Sequence, residues 1–507
     1  MGQASSVKKN FVMNVVLTMS SFIFPLITFP YISRILLPAG TGKVSFATSL
    51  ISYFNMFAQL GIPTYGICAC AKVRDNRKKL TRTAHELLMI NLFMSAISYI
   101  ILILGLIFVP RLREERTLYV IVSFTIILSA VGMEWLYKAI EQYAYITVRS
   151  IIFKLAALAA MFLLIHEQDD YVIYGGISIL AASASNIMNL LNVHKYIDMR
   201  PVGHYRPMRH MKAVAVFFAM ACATTIYTNL DTVMLGFMAS DEAVGYYNAA
   251  VKIKTILVSI VTSLGTVLLP RASYYVEQRQ FKEFRRITRK SLNFVFVTAT
   301  PLMLYFIIFA RQGIYFLSGT AYEGAVVPMQ IIMPTLLLIG ITNVLGIQIL
   351  VPLGKEKIVL YSEIMGAATD CVLNFILIPE LVAAGAAAGT LTAELVVLIV
   401  QCTALWKVLK KGFFKVSLGK VILALMLGSA ASVWVTRIKM DAFAALFISA
   451  ALFFGVYGIS LLVTGESLTR EIVGQLLKMI EKKSCRNSAY RRGHCRRKEQ
   501  NTNVKDW

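Results

Sequence analysis

Fourteen apolar runs dominate this sequence, and each is long enough to cross the roughly 30 Å hydrocarbon layer of a bilayer as a helix. The ten-residue alternation of a membrane β-barrel is absent from it, and a helix satisfies its own backbone polar groups in lipid. We therefore predict an all-α polytopic membrane protein with about 14 transmembrane helices. The predicted spans are 11–32, 44–66, 85–109, 117–138, 144–165, 171–193, 211–238, 244–269, 291–309, 326–350, 358–379, 384–406, 417–436 and 442–463.

The distribution of Lys and Arg predicts the orientation of these spans. Residues 72–82 hold six basic side chains, 271–290 seven and 407–420 five, while "HEQDD" after the fifth span and "ASDE" after the seventh hold none. Basic loops stay in the cytoplasm, so we predict that these loops and both termini are cytoplasmic. Topology and attraction to anionic lipid explain the formal net charge of +24, so we expect no nucleic-acid partner.

Two six-span halves organise the chain. The polar, Pro-containing stretch "HKYIDMRPVGHYRPMRHMK" separates the first six spans from the next six. Because six is an even number, the second half enters the membrane from the same side as the first half. We predict an N-lobe at 1–204, a C-lobe at 205–410, a final helix pair at 411–465 and a basic cytoplasmic tail at 466–507. The sequence shows no nucleotide-binding loop, nucleophile elbow or metal-ligand spacing, so we expect neither an enzyme nor a cofactor.

Charged side chains inside the apolar runs are the candidate functional residues. A charge at the bilayer centre costs at least about 2.5 to 3.5 kcal/mol, so such a residue usually faces a partner or a wet cavity. The candidates for binding substrate are Arg34, Arg149, Lys154, Lys252 and Lys254. The candidates for coupling or gating are Asp231, Glu134 and Glu141. Because the deep lysines outnumber Asp231, we predict a hydrated, cationic cavity between the lobes.

Two simpler interpretations remain open from the residues alone. Asp231 lies about ten residues before an outer turn and the two lysines of "VKIK" about ten after it, so all three have a similar depth. An ion pair between Asp231 and Lys252 or Lys254 would then only pin two helices together. Arg34 and Arg149 could extend along the span ends to lipid headgroups.

Six blocks in register carry a resemblance to a known family. They are "FPYISRILLPAGTGKVSFA", "GIPTYGICACAKVRDNRKKL", "GMEWLYKAIEQYAYITVRSIIFK", "NLDTVMLGFMASDEAVGYYNAAVKIK", "TVLLPRAS" and "GIQILVPLGKEK". From about residue 7 to 410, the chain resembles the polysaccharide transporter branch of the multidrug/oligosaccharidyl-lipid/polysaccharide exporter superfamily, the Wzx-type flippases. One position departs from the pattern, since Cys68 stands where the resemblance leads us to expect Arg. Lys72 or Arg74 could supply the missing cation, or the position could only pack against headgroups.

The resemblance implies a fold, a substrate and a location. It implies two six-helix lobes in a V around a central cavity, followed by a final helix pair. It implies movement of undecaprenyl-diphosphate-linked oligosaccharide from the inner to the outer leaflet of a bacterial plasma membrane, for capsule, O-antigen or exopolysaccharide assembly. Its implied partners are the lipid-linked glycan, membrane lipids, and the polysaccharide polymerase and glycosyltransferases of the same pathway.

A switch between Asp231 and the lysines would give such a transporter two states. We predict that Asp231 holds Lys252 or Lys254 while the cavity is empty, and that the substrate diphosphate takes over the ammonium groups.

Two other functions remain open. A drug/cation antiporter of the same superfamily would use Asp231 as a proton-coupled acid in an anionic site. A membrane glycan polymerase would normally carry a large outer loop with catalytic Arg or His, and no predicted outer loop is that long.

Overall fold

The computed structural model describes residues 7–406, 418–438, 440–466 and 469–470. This part of the chain is helical and contains no strand, so the predicted all-α fold class is confirmed. Most of the predicted basic tail at 466–507 and most of the basic loop at 407–420 lie outside the described residues.

The first half of the chain forms nine helices. Their bounds are α1 Val7–Gln59, α2 Ile62–Ala71, α3 Arg77–Phe108, α4 Pro110–Glu114, α5 Arg116–Gly132, α6 Glu134–Ala139, α7 Tyr143–Leu164, α8 Tyr171–Ile179 and α9 Ser185–Asn192. A π-helical segment, Leu180–Ala184, joins α8 to α9.

The remainder of the described chain forms nine more helices. They are α10 Met211–Met238, α11 Asp241–Glu277, α12 Phe281–Ile308, α13 Ala310–Ser318, α14 Val326–Ile332, α15 Thr335–Asn343, α16 Glu356–Ala404, α17 Leu418–Ser432 and α18 Ala442–Thr464. A second π-helical segment, Val344–Leu350, follows α15.

Two of these helices are far longer than a bilayer is thick. At 1.5 Å per residue, the 53 residues of α1 and the 49 of α16 would each extend over more than about 70 Å. Each is broken by one residue in the left-handed region, Leu37 with φ 56° and Val382 with φ 51°. Pro38 explains the first break, because proline disfavours helical backbone in the residue before it.

The number of crossings is compatible with the sequence-based prediction. Ten helices of the described chain are long and apolar enough to span a membrane, or eleven when the bent pair Thr320–Ile332 and Thr335–Leu350 counts as one span. In that count α1 and α16 each appear once, and the 17-residue α5 is left out. Counting the halves of α1 and α16 separately and adding α5 gives fourteen.

The two ends of the helical bundle differ in composition. One end, the basic face, carries the segments 72–82 and 194–210, which contact each other through Arg77 and Asp198 at 2.9 Å. The other end, the opposite face, carries the segments 37–43, 110–116, 166–171, 239–242 and 319–325, which Lys43–Glu115, Arg111–Asp241 and Thr41–Tyr322 contacts bring together.

At the opposite face the two lobes touch through their backbones. A Cβ on Gly42 would lie 1.7 Å from the Asp241 carbonyl oxygen, and one on Gly245 would lie 2.1 Å from the Pro38 carbonyl oxygen. The Thr41 and Tyr322 hydroxyls lie 2.7 Å apart in the same region. We call this set of contacts between α1, the start of α11 and Tyr322 the interlobe contact. It holds the lobes together at the opposite face, as a two-lobed transporter closed at that end requires.

Candidate functional site

A cavity of about 500 Å³ lies on the side of the N-lobe that faces the C-lobe. Its wall comes from α1, α7, α8, the π-helical segment Leu180–Ala184 and the start of α9, with Glu134 from α6 and a single C-lobe residue, Lys252 of α11. Lys154 also lines it, so the cavity brings together two lysines and one glutamate that the sequence singled out.

The two lysines of this N-lobe cavity have different surroundings. The Lys154 ammonium donates hydrogen bonds to the Ser20 and Ser21 hydroxyls, both at 2.9 Å. The Lys252 ammonium lies 3.3 Å from the centre of the Phe29 ring, where the negative face of the ring attracts it. Neither lysine forms an ion pair within the described chain, so both charges are available to an anion.

Glu134 is the acidic group of the cavity, and its charge is already balanced. Met133, in the left-handed conformation with φ 40°, ends α5 and starts α6 at Glu134. The Glu134 carboxylate pairs with Lys138 at 2.8 Å and with Arg149 at 3.4 Å. Arg149 is 5% exposed and also donates to the Ser185 carbonyl and the Asn186 side chain. Arg149 therefore supports the cavity wall from behind, and the net charge that reaches the cavity is positive.

Two further cavities continue from the first one. Ser21, Pro25 and Lys252 line both the N-lobe cavity and a smaller one of about 260 Å³ between α1 and α11. Leu26, Ile256 and Leu317 in turn line both this smaller cavity and an apolar groove of about 370 Å³. The groove extends to Phe443, Phe447 and Phe454 of α18. Shared lining residues thus mark a path of neighbouring cavities from the cationic cavity, between the lobes, to the apolar groove at the final helix pair.

A second polar site, the C-lobe acidic cluster, lies apart from this path. We define it by Asp231 of α10, Tyr247 of α11, and Asp370, Asn374, Thr390 and Glu394 of α16, all of which are buried. Asp231 accepts hydrogen bonds from Asn374 at 2.6 Å, from Thr390 at 2.9 Å and from the Tyr247 hydroxyl. Tyr227 donates to Glu394. The break at Val382 creates this site, since it folds the two halves of α16 against each other.

The cluster contains three carboxyl groups, of Asp231, Asp370 and Glu394, and no basic side chain of its own. Asp370 lies within hydrogen-bonding distance of Asp231, and Lys254 is the basic group that acts electrostatically on both Asp370 and Glu394. One oxygen of Asp370 and the side-chain oxygen of Asn374 are buried without a partner. A Cβ on Gly389 would lie 2.3 Å from that Asn374 oxygen. These crowded oxygens have the chemistry of a proton or monovalent cation site, since buried carboxylates need compensation.

The predicted ion pair between Asp231 and a lysine is wrong for this conformation. Asp231 is matched in depth with Tyr247, which lies five residues before Lys252 and seven before Lys254, so the two lysines are about 7 Å and about 10 Å deeper. Lys252 and Lys254 also point about 200° apart around α11, because each residue advances a helix by 100°. Lys252 consequently faces the N-lobe cavity and Lys254 the acidic cluster. The lysines and Asp231, which the sequence led us to expect around one cationic cavity, therefore belong to two separate sites of opposite charge.

The remaining predicted residues lie outside the N-lobe cavity. Arg34 donates to the carbonyls of Phe316 at 2.7 Å and Tyr315 at 3.4 Å, near the C-terminal end of α13. Glu141 lies at the basic face and pairs with Arg74 at 2.6 Å. Cys68 is exposed on α2, two turns from that pair.

Sequence reasoning missed the two other carboxylates of the acidic cluster. Asp370 and Glu394 stand inside the eleventh and twelfth apolar runs, in "ATDCVLNF" and "TAELVV". Their position inside apolar runs was the available signal, since it is the same criterion that selected Asp231. Within the described residues, no group of three or more His, Cys, Asp or Glu has a metal-binding arrangement.

Comparison with protein families gives two matches to the chain. A model described as "Polysaccharide biosynthesis protein" matches residues 7–276, and a model described as "MatE" matches residues 215–376. A candidate O-antigen transporter of Escherichia coli (strain K12) is 26% identical over 367 residues, which cover 72% of this chain and 87% of the relative. A candidate O-antigen transporter of Shigella dysenteriae is 23% identical over 397 residues, 77% of this chain and 98% of the relative.

Solved structures share the fold. The inward closed conformation of the lipid II flippase MurJ superposes with a TM-score of 0.68 and 15% identity, over 91% of this chain and 100% of the other. An inward-facing multidrug resistance MATE family transporter of the MOP superfamily superposes with a TM-score of 0.59 and 13% identity, over 79% of this chain and 99% of the other. The family match spans more than half of the chain, and the helical architecture agrees with it. The chain belongs to the polysaccharide biosynthesis protein family of membrane transporters.

Proposed function

We propose that this protein is a flippase that moves undecaprenyl-diphosphate-linked oligosaccharide between the leaflets of a bacterial plasma membrane. One observation carries the proposal: a cationic cavity joins an apolar groove through an opening between α1 and α11. A lipid-linked glycan needs both environments at once, because its diphosphate and sugars must leave water while its tail stays in hydrocarbon. The O-antigen transporters among the relatives support the same substrate class.

Lys154 and Lys252 are the proposed diphosphate ligands. An ammonium group binds phosphate as a compact point charge, and both ammonium groups face the same cavity. Lys252 also lines the opening between the lobes, so it would contact the diphosphate at the junction of headgroup and tail. Arg34, Arg149 and Lys254 do not line this cavity and are not proposed as direct ligands.

The apolar groove at α18 is the proposed seat of the polyprenyl tail. Its lining is almost wholly aliphatic and aromatic, and Phe443, Phe447 and Phe454 supply one wall. Burying hydrocarbon there costs no desolvation of polar groups, since the surrounding lipid is equally apolar. The final helix pair would thus guide the tail while the N-lobe cavity holds the diphosphate and the first sugars.

The proposed orientation places the basic face and both termini in the cytoplasm. The Lys and Arg of the segments 72–82 and 271–290 support it. The described conformation, in contact at the opposite face, would then be closed toward the outside. We assign the protein to capsule, O-antigen or exopolysaccharide assembly, with the polymerase and glycosyltransferases of that pathway as partners.

Ion coupling is proposed for the C-lobe acidic cluster. Asp231 and Asp370 are neighbouring buried carboxyls, and a proton or a monovalent cation between them would relieve their repulsion. Asp231 keeps its predicted role as coupling residue, through Tyr247, Asn374 and Thr390 rather than through a lysine. Glu134 and Glu141 remain proposed gating residues, because Glu134 joins α6 to Arg149 and Glu141, two residues after α6, pairs with Arg74.

The acidic cluster also favours a second candidate, a drug/cation antiporter. The two functions differ in where the substrate binds: an organic cation would need the cluster, whereas an anionic lipid needs Lys154 and Lys252. The N-lobe cavity is lined by Lys154 and Lys252 and therefore suits an anionic substrate, which favours the flippase. Uptake of a cationic dye into proteoliposomes, abolished by Asp231→Asn, would instead support the antiporter.

Paired lysine variants test the proposed substrate site. Lys252→Gln should weaken binding of an undecaprenyl diphosphate lipid by the purified protein about tenfold, since one charge-assisted contact contributes about 1.5 kcal/mol. Lys254→Gln, two residues away on the other side of α11, is the matched control and should bind normally. Equal losses in both variants, or none in Lys154→Gln/Lys252→Gln with the protein folded, would contradict the proposed site.

A further inference from the structure

Another groove, separate from the three cavities described above and on the outside of the N-lobe, has the features of a lipid-binding site. It has a volume of about 570 Å³ and lies at the opposite face, where α3 ends and α5 begins. Ile103 and Ile107 of α3 and Val120 and Ile121 of α5 form its apolar floor. It shares no lining residue with the path from the N-lobe cavity to the apolar groove.

Two arginines form the rim of this groove, and neither has an acidic partner. Arg113 of α4 and Arg116 of α5 line it, and no hydrogen bond or ion pair joins either to another part of the described chain. The nearby acids are already engaged: Glu114 pairs with Arg111 at 3.4 Å and Glu115 with Lys43 at 2.6 Å. The rim therefore presents two guanidinium groups that have no acidic partner in the described chain, above a hydrocarbon surface.

The start of α5 adds to the positive potential of the rim. Arg116 is the first residue of this 17-residue helix, so the unpaired amide groups of its first turn point toward the rim. The Thr117 side chain lines the groove and can donate one more hydrogen bond. Guanidinium groups, helix amides and a hydroxyl together form a binding site for a phosphate group.

We propose that an anionic phospholipid of the bilayer occupies this groove. Its phosphate would lie against Arg113 and Arg116, and an acyl chain would cover the floor, where Ile107 is 57% and Val120 48% exposed. A soluble anion would leave that floor bare, and a zwitterionic headgroup would bring an ammonium group close to two guanidinium groups. A lipid with net negative charge, such as phosphatidylglycerol, satisfies both parts of the groove.

The bound lipid would also stabilise an ion pair between the lobes, the one between Arg111 and Asp241, which lies beside the interlobe contact. Arg111 and Arg113 lie two residues apart on the five-residue α4 and point to different sides of it. Arg111 reaches the C-lobe, where it pairs with Asp241 and donates to the Gly236 carbonyl at 3.1 Å. A lipid that fixes Arg113 therefore fixes α4, and with it a contact made only when the lobes meet at the opposite face.

Binding of lipids to the purified full-length protein tests the site. We would titrate phosphatidylglycerol and phosphatidylcholine in mixed micelles and follow binding by native mass spectrometry and thermal stability. Each basic residue near a membrane surface strengthens binding of anionic lipid by about fivefold, so Arg113→Gln/Arg116→Gln should lose about 30-fold in phosphatidylglycerol affinity. Arg437→Gln, an exposed arginine between α17 and α18 outside the groove, is the control and should bind normally.

Two further arms separate the possible sources of the phosphate. Val120→Trp fills the floor without changing charge and should also weaken phosphatidylglycerol binding, whereas soluble glycerophosphoglycerol should not stabilise the protein at any accessible concentration. Equal stabilisation by phosphatidylcholine, unchanged affinity in the double arginine variant, or full stabilisation by the soluble headgroup would each overturn the proposal. The readout is binding alone, so the result does not depend on whether the protein is a flippase.

Discussion

Replacing Gly245 by alanine should weaken the interlobe contact and shift the protein toward a state that is open at the opposite face. The added Cβ would lie 2.1 Å from the Pro38 carbonyl oxygen, while an ordinary contact begins at 3.4 Å. The start of α11 and the break in α1 must therefore separate by about 1.3 Å. Both partners are backbone, so no side chain can rotate away to relieve the clash.

The size of the effect follows from the cost of overpacking. Inserting a methyl group into a closely packed contact typically costs about 1 to 3 kcal/mol. That cost applies only to the state in which the lobes touch here, so the ratio of open to closed molecules should rise about 5- to 150-fold. Gly42→Ala should have the larger effect, because its Cβ would lie only 1.7 Å from the Asp241 carbonyl oxygen.

Distance measurements between the lobes provide the assay. Spin labels at Asp169→Cys on the N-lobe and Glu242→Cys on the C-lobe, in a cysteine-free background, report on separation at the opposite face. Gly455→Ala is the matched control, because its helical position in α18 has nothing within 4 Å of the new Cβ. If Gly245→Ala folds and leaves the distance distribution identical to that of the control, the interlobe contact does not govern opening.

Further changes separate buried from exposed roles. Gly389→Ala should lower the melting temperature and abolish any stabilisation by Na⁺ or H⁺, because its Cβ would lie 2.3 Å from the Asn374 side-chain oxygen; unchanged ion-dependent stability would contradict this. Arg149→Ala should cost about 1 to 3 kcal/mol of folding stability for each buried partner left without a donor, the Ser185 carbonyl and the Asn186 side chain, while the exposed Arg34→Ala should cost about 1 kcal/mol or less, as measured by thermal unfolding in detergent. A cysteine at Lys78 should react with a membrane-impermeant label only in broken cells; labelling of intact cells would invert the proposed orientation.

Candidate site residues were found by one criterion, charge inside an apolar run. That criterion selected Lys154, Lys252 and Glu134, which the structure places in the lining of one cavity. Applied evenly, it would also have selected Asp370 and Glu394, the missed members of the acidic cluster. Depth along a helix could be counted from the turn, but the equal depth expected for Asp231 and the two lysines was wrong by between one and two helical turns.

The sequence by itself determined that the chain spans a membrane as helices, because runs of this length and hydropathy have no other backbone conformation open to them in lipid. It also determined that the Lys252 and Lys254 side chains point about 200° apart around the axis of α11, since any two residues at this spacing in a helix do so. Only the tertiary structure decided which neighbour each lysine faces. In a soluble protein an apolar stripe marks the buried side of a helix, but here lipid and the protein interior are equally apolar, so α11 carries no such mark. The separation into a cationic cavity and an acidic cluster therefore arises from how the helices pack, and in particular from the break in α16 that brings Asp370 and Asn374 against Thr390 and Asp231.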